Sequence, residues 1–522
     1  MKSLSTLLFL LIGFHLPGQG DFSEKSPQRE FRGVWIATVL NIDFPRYPTT
    51  STIAHQEQWK NLLNNYKELG FNAVIVQIRP AGDAFYPTKL APWSRYLTGE
   101  QGRAPDTDYD PLEFMIKEAH ERSMEFHAWF NPYRATMNLD SLNLAPNHIA
   151  KLRPDWILRY GTKYYLNPAL PEVRDHVTDV VMEVVDNYDI DAVHFDDYFY
   201  PYQVQGETFP DSLDYVFYGS NFKTIEDWRR NNVDQLIQTL STRIKESKGH
   251  VKFGISPFGV WRNQSNDPKG SATRAGATSY DHLYADVLKW LRRGWIDYIA
   301  PQLYWNVGFE PADFDVLLKW WSRQTFEPHL YIGHAAYKVN TNNEPAWWDP
   351  NEIPLQIMLN RRNFKSQGSI FFSSRSIIQN QLGLKDSLES YYGKPALLPE
   401  METLELRKPL APRLKRVRKK DGDVRLIWKP NKLERENPPA YYAVYRFKDR
   451  SANLSNLEEE GELVYVSCFM SKGKKYQFVD RTADKDTIYT YVVLAVNRQH
   501  TLSKASNYKR ILKLDNGLRR IK

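Results

Sequence analysis

The feature that most constrains the fold is a repeated alternation of short apolar runs with segments of helical periodicity. Eight such runs occupy residues 33–39, 73–78, 125–131, 192–196, 253–257, 298–304, 330–334 and 369–373. Between them lie helix-period stretches, including 58–69, 111–122, 171–188, 225–246, 284–293 and 314–323. Continuous apolar runs, as opposed to alternating ones, mark strands buried on both faces, which is what a parallel sheet covered by helices requires. Strand and helix taken in turn eight times give an α/β fold of the closed (β/α)8 kind, a TIM barrel, over residues 28–395. A doubly wound open sheet is the rival, but no Gly-rich phosphate loop follows the first run. Long stretches after the runs, 81–110, 132–168 and 201–224, are expected to build a cleft at the carboxyl ends of the strands.

The pattern changes after Gly393. A Pro-containing stretch at 396–411 reads as a linker, and period-two alternation follows at 424–428, 441–447, 463–466, 476–480 and 489–497. These are the marks of an all-β sandwich over residues 412–515. It resembles a fibronectin type III domain, with Trp428 as the early core tryptophan and TIYTYVVLAVN as the tyrosine-corner strand. From residue 401 onward 28 Lys plus Arg face 15 Asp plus Glu, a balance of +13 that leaves −6 for the rest of the chain. The cluster RLKRVRKK at 413–420 reads first as a solvated basic face, with contact to an anionic envelope polymer as the alternative and nucleic acid not expected as a partner. With no catalytic cluster of its own, the module is expected to be dispensable for bond cleavage.

Residues 1–20 carry one Lys near the start, an apolar segment at 4–16 and then Pro17, Gly18 and Gly20, the order found in a secretory signal peptide. That segment is too short for a membrane span, and no later one is long enough. An exported, periplasmic or extracellular protein is expected. The single cysteine, Cys468, allows neither an intramolecular disulfide nor a Cys-based zinc site.

The chemistry concentrates at 192–201, AVHFDDYFYP, where an apolar run ends in Asp196 and Asp197. Strand parity places His194, Asp196 and Tyr198 on one face, making Asp196 the principal catalytic candidate and the adjacent Asp197 a candidate either for catalysis or for orienting a neighbour. The other run ends add Gln77 and Arg79, His127, Trp129 and Asn131 with Arg134 beyond, Gln302, Tyr304 and Trp305, His334, and Arg375. Trp129 shares the parity of His127 and Asn131 and is the expected sugar-stacking platform. Carboxylates for acid, base or nucleophilic work, amides and Arg for hydroxyls, and flat rings for stacking together suit a glycan substrate. The partner carboxylate is expected from Asp83 first, then Asp43 or Asp267. Metal-assisted hydrolysis through His127, His194 and His334 is the enzymatic rival, without HxH or HExxH spacing to support it. No cofactor and no metal is expected. From other classes, a glycan-binding protein without a second acid and an adhesion or scaffolding protein remain as readings.

At these residues the chain resembles the glycoside hydrolase-like family 10, the former domain of unknown function 187. The matching segments are FRGVWIATVLNIDFP, VQIRPAGDAFYP, AWFNPYR, VHFDDYFYP, GISPFGVWRN and APQLYWN, in order, across residues 30 to 390. The resemblance implies a TIM barrel and an exported glycosidase; a relative acts on peptide-free peptidoglycan strands, so the implied substrate is a peptidoglycan-type polymer or another N-acetylhexosamine glycan. DAVHFDDY and PQLYW are also similar to strands of chitinase-type enzymes, which implies substrate assistance, except that Tyr198 stands where those enzymes carry Glu.

Overall fold

The structure, a computed structural model, describes residues 26–522 apart from 325–326, 402–403, 405–406, 434–437, 449–455, 470–472, 516 and 522. The expected signal peptide lies outside the described residues. Eight parallel strands close into a barrel: β1 (Phe31–Ile36), β2 (Ala73–Arg79), β3 (Glu125–Phe130), β4 (Ala192–Phe195), β5 (Lys252–Ile255), β6 (Tyr298–Ile299), β7 (His329–His334) and β8 (Ser366–Phe371). Each pairs with its sequence neighbours, and β8 closes on β1 with Gly33 opposite Ile370. All eight expected strands are present. The sixth is much shorter than its apolar run because Pro301 has no N–H to continue a ladder.

Strand parity divides the barrel into two environments. Val34, Val74, Val76, Phe126, Val193 and Phe253 face outward and pack on helices that include α1 (Thr52–Glu68), α2 (Pro111–Glu121) and α3 (Pro171–Asn187). The inward set is mixed. Phe31, Ile75 and Tyr331 are apolar or aromatic, but Glu125, His127, His194 and Lys252 also lie fully buried inside the barrel. A Cβ on Gly254 would meet the Tyr298 ring at 1.9 Å, so the missing side chain in β5 is what lets that tyrosine lie across the barrel axis. A two-stranded hairpin, Ile157–Tyr160 with Lys163–Leu166, organises the long loop after β3 and was not foreseen from the pattern.

The C-terminal segment forms two antiparallel sheets. One is β9 (Arg413–Lys420), β10 (Asp423–Lys429) and β13 (Tyr476–Asp480); the other runs β12 (Glu462–Val466), β11 (Tyr441–Phe447), β14 (Thr487–Val496), β15 (Lys509–Leu514) and β16 (Gly517–Ile521). Leu414, Leu426 and Trp428 of the first pack on Tyr442, Val444, Tyr491 and Val493 of the second. The basic cluster at 413–420 is itself the edge strand β9, with only Leu414 buried, and the last strand runs past residue 515 to Ile521.

This module sits against the amino-terminal end of the barrel. Arg498 donates to Asp191 Oδ1 at 2.9 Å just before β4, and Phe469 N donates to His120 O at 2.8 Å. The stretch expected as a linker is partly packed: Leu397, Leu398, Met401 and Leu404 join one buried cluster with Phe31 of the barrel and Tyr441 of the module. Glu30 N donates to Leu397 O at 2.9 Å, which ties that stretch to the start of β1. An extra methyl inside a filled barrel has no room to relax. Gly254→Ala is expected to cost about 1–3 kcal/mol or more, read as a fall in the midpoint of thermal unfolding; an unchanged midpoint would mean Tyr298 is free to move aside.

Candidate active site

At the carboxyl ends of the strands lies a cavity of about 450 Å³. Asp196, Asp197, Tyr198, Trp129, Arg134, Gln302, Tyr304 and Trp305 line it, together with Trp35, Gln77, Tyr202, Ser256, Phe258, Tyr337, Lys338 and Phe372. Strand β4 ends at Phe195, and Phe199 N turns back to Asp197 O at 3.1 Å. Alternation therefore stops before the acids, and both carboxylates reach the pocket. Asp197, the second catalytic candidate of this segment, thus shares the pocket although strand parity set it on the opposite face from Asp196.

Asp196 is held by a relay of two side-chain amides, Gln77 at the end of β2 and Asn131 just past β3. Gln77 Oε1 accepts from Thr38 N at 3.1 Å and Val39 N at 3.0 Å, so the Gln77 amide nitrogen must face the other way. It donates to Asn131 Oδ1 at 2.6 Å, which turns the Asn131 nitrogen toward Asp196 Oδ2 at 2.5 Å. Tyr198 N donates to the other oxygen at 3.2 Å. The Trp129 indole N–H faces the same carboxylate without a well-formed hydrogen bond. Burial raises the Asp196 pKa, while the nearby Arg134 guanidinium and these donors oppose that rise. Arg134 is itself held over the Tyr198 ring, 4.4 Å from its centroid.

Asp197 has a different environment. Burial and then the charge of Asp196 push its pKa up to about 7, with hydrogen bonds from Tyr202 and Gln302 acting the other way. The Tyr202 hydroxyl donates to Asp197 Oδ2, and Gln302 is anchored by donating to Ser256 O at 2.8 Å. Burial raises both carboxyls, and Asp197, which also faces the charge of Asp196 and lacks its amide and guanidinium support, is the member of the pair that more readily keeps a proton. That is the division of labour expected of an acid and an ionised partner.

Several expected site residues lie elsewhere. Asp83 and Arg79 do not line the cavity: a register shift between Gln77 and Arg79 re-aims Arg79 toward Tyr86, Asp83 and Glu183, on the helix side of the sheet. Asp43 accepts from Ala37 N, Ser373 Oγ and Arg375 N, stitching the β1 and β8 ends together, and burial raises its pKa to about 6. Asp267 pairs with Arg262 at 3.1 Å. The second carboxylate of the pocket is therefore Asp197. His334 has outward parity, its rings stacked near Phe314 and Phe371, and bonds Gln356 and Ser369. His127 and His194 point into the barrel interior beneath the pocket, so the three histidines do not converge on Asp196. Among the described residues no group of three or more His, Cys, Asp or Glu is placed to hold a metal ion.

Sequence reading missed Trp35, Tyr202, Ser256, Phe258, Tyr337, Lys338 and Phe372. Trp35 and Ser256 were open to the parity argument, since each sits on the inward face of its strand or one residue past it. Tyr202 comes from a loop and Tyr337 and Lys338 from a single 3-10 turn, Ala336–Lys338, where no periodicity signals direction.

A (β/α)8 barrel with a carboxylate pair, amides and aromatic walls at the carboxyl ends of its strands is a glycosidase architecture. Residues 30–349 match the family described as glycosyl hydrolase-like 10, and the chain belongs to it. It is 46% identical over 506 residues to glycosyl hydrolase YngK of Bacillus subtilis, covering 96% of this chain and 97% of that protein. With glycosyl hydrolase DigH of Escherichia coli K12 the identity is 42% over 364 residues, 65% of this chain and 82% of that one. Among solved structures, the PgaB (BpsB) glycoside hydrolase domain from Bordetella bronchiseptica covers 69% of this chain and 98% of its own, at a TM-score of 0.46 and 14% identity. The enzyme is a glycoside hydrolase.

Because Asp197 donates only while protonated, turnover is expected to fall as pH rises through about 7. The raised pKa has a second consequence. The folded state binds this proton more tightly than the unfolded chain, so wild-type stability declines between the ordinary aspartate pKa of about 4 and pH 7. Asp197→Asn should remove the basic limb along with the activity, while its unfolding midpoint above pH 7 equals or exceeds that of the wild type. An Asp197→Asn enzyme that keeps the wild-type pH–rate profile would take the proton-donor role from this residue.

Proposed function

We propose that this enzyme is exported and hydrolyses the glycan strands of peptidoglycan or a closely related polymer of N-acetylhexosamine. The observation that carries the reading is the placement of the pocket's carboxylates. Asp196 and Asp197 are consecutive in the chain and share one wall, and among the described residues no other Asp or Glu lines the cavity. Direct displacement with retention uses two carboxyl groups flanking the glycosidic bond, one of them as the nucleophile. A pair on one wall is better suited to a sugar that carries its own nucleophile, as a 2-acetamido group does in substrate-assisted hydrolysis. In this scheme Asp197 protonates the leaving oxygen, and Asp196 orients the acetamido N–H and balances the charge that develops as its carbonyl oxygen closes on the anomeric carbon. Water then opens the ring so formed, with Asp197 taking back a proton. Trp129, Trp305 and Tyr304 supply flat surfaces for the sugar.

The exposed basic edge strand β9 supports a second element of the reading, contact with an anionic envelope polymer. Replacing Lys415, Arg416 and Arg418 by Gln should weaken retention on wall material at low salt and matter less as salt rises, since exposed charges are screened over about 8 Å at physiological ionic strength. Retention that does not respond to salt excludes this contact.

The substrate reading is tested by mass spectrometry of products from purified wall glycans, with and without peptide stems. Asp196→Asn is expected to lose about 10²-fold or more in rate, and Trp129→Ala to weaken oligosaccharide binding by roughly 1–3 kcal/mol. Cleavage of deacetylated glycan as fast as the acetylated form would exclude the acetamido group from the mechanism.

A further inference from the structure

A continuous hydrogen-bonded chain crosses the barrel interior from the C-terminal module to the catalytic pocket. His500, on the turn after β14, places Nε2 2.7 Å from Glu125 Oε1 at the start of β3. Lys252 of β5 donates to the same oxygen. Glu125 Oε2 lies 2.9 Å from His127 Nε2, and His127 Nδ1 lies 2.8 Å from the Tyr298 hydroxyl. That hydroxyl is 2.9 Å from His194 Nδ1, and His194 Nε2 is 3.2 Å from the Trp35 indole nitrogen and 2.9 Å from Ser256 Oγ. Trp35 and Ser256 line the pocket. Every member of the chain between His500 and Ser256 is buried.

Its two ends decide the direction of every bond. An indole N–H only donates, so His194 Nε2 is an acceptor and the His194 proton sits on Nδ1. That proton goes to the Tyr298 oxygen, which leaves the tyrosine O–H to donate to His127 Nδ1. His127 then carries its proton on Nε2 and donates it to Glu125. The polarity holds only while Glu125 is a carboxylate. Burial works against that charge, while Lys252 and His500 keep the Glu125 pKa well below its ordinary value. His500 Nε2 lies closer to the carboxylate than to the Lys252 ammonium, which is 3.4 Å away, and its Nδ1 is 3.0 Å from the Tyr441 hydroxyl.

We propose that His500 is a positioning residue for the catalytic pocket: by holding Glu125 as an acceptor it sets the polarity of the chain through His127, Tyr298 and His194 and so fixes the Trp35 indole in the pocket wall. A protonated Glu125 would donate to His127 and reverse each bond in turn. His194 would then present Nε2–H to the Trp35 N–H, two donors face to face, and the indole would be expelled from its place. The C-terminal module is on this account part of the catalytic apparatus, contrary to the expectation that it is dispensable for cleavage. The inference rests on the glycosidase assignment of the pocket and is independent of which glycan is cut.

The test uses the full-length chain with 15N-labelled histidine and tryptophan. In the wild type, His194 should remain the Nδ1–H tautomer between about pH 5 and 8, the range in which an unperturbed histidine changes charge, with one Trp35 indole resonance assigned by Trp35→Phe. His500→Ala should shift or split that resonance, more strongly at the acid end, and lower kcat/KM roughly 10-fold or more. His500→Gln, which keeps a donor toward Glu125, should restore both. Tyr298→Phe cuts the chain without touching the module and should reproduce the Trp35 change even if His500→Ala fails to fold. Unaltered Trp35 and His194 signals in folded Tyr298→Phe, or in folded His500→Ala, overturn the proposal. Absence of wild-type turnover on wall glycan, with these signals behaving as stated, would instead count against the substrate reading alone.

Discussion

Two adjacent carboxyl groups removed from water in one pocket cannot both be charged at little cost, and this constraint organises the site. Placing unlike environments around like groups resolves it. Asp196 receives the Asn131 amide, the Tyr198 backbone N–H and the field of Arg134. Asp197 is left with the repulsion of its neighbour and the Tyr202 and Gln302 contacts. The proton settles where the charge is least supported. The amide relay from Thr38 and Val39 through Gln77 and Asn131 matters for this reason, because each amide has only one orientation that satisfies its predecessor, and the last one faces Asp196 as a donor.

The barrel interior applies the same logic on a larger scale. Its inward positions are not a dry aliphatic stack; they hold Glu125, Lys252, His127 and His194 with Tyr298 laid across the axis over Gly254. Burial of Glu125 and Lys252 is tolerable because they bond each other and because the C-terminal module brings His500 as a further donor. Removing one partner of such a buried pair characteristically costs about 3–5 kcal/mol, so the two domains share a stability problem as well as an interface. Arg498, bonded to Asp189 and Asp191, and the packed stretch around Leu397 and Met401 seal the same end of the barrel.

Much of the fold was legible in the sequence because outward strand faces dictate it: Val34, Val74, Val76, Phe126 and Phe253 had to be covered by helices, and the intervening periodic segments supply them. Inward parity brought Trp129 to the cavity because β3 is regular as far as Phe130, whereas Gln302, Tyr304 and Asp196 line the same cavity from beyond the ends of β6 and β4. It failed where the strand stops or slips. Asp197 follows the end of β4 and Arg79 follows a register shift, whereas His334 sits within a regular β7 and simply has outward parity. Asp83 looked like a partner acid only because chain proximity to β2 says nothing about which side of the sheet a loop residue takes. Of the interior chain from His500 to Trp35, parity marked His127 and His194, but nothing joined them to Glu125, Tyr298 or His500, because the members come from both domains and are separated by up to hundreds of residues.

The central claim is that the catalytic pair divides one proton unequally. Carbon-13 spectra of the full-length enzyme labelled at the aspartate carboxyl carbons, with Asp196 and Asp197 assigned by their Asn variants, measure this directly. The account predicts that the Asp196 signal stays that of a carboxylate across the neutral range while Asp197 titrates near pH 7. Two signals that both report full ionisation by the ordinary aspartate pKa of about 4, or a proton found on Asp196 with Asp197 ionised, would contradict it.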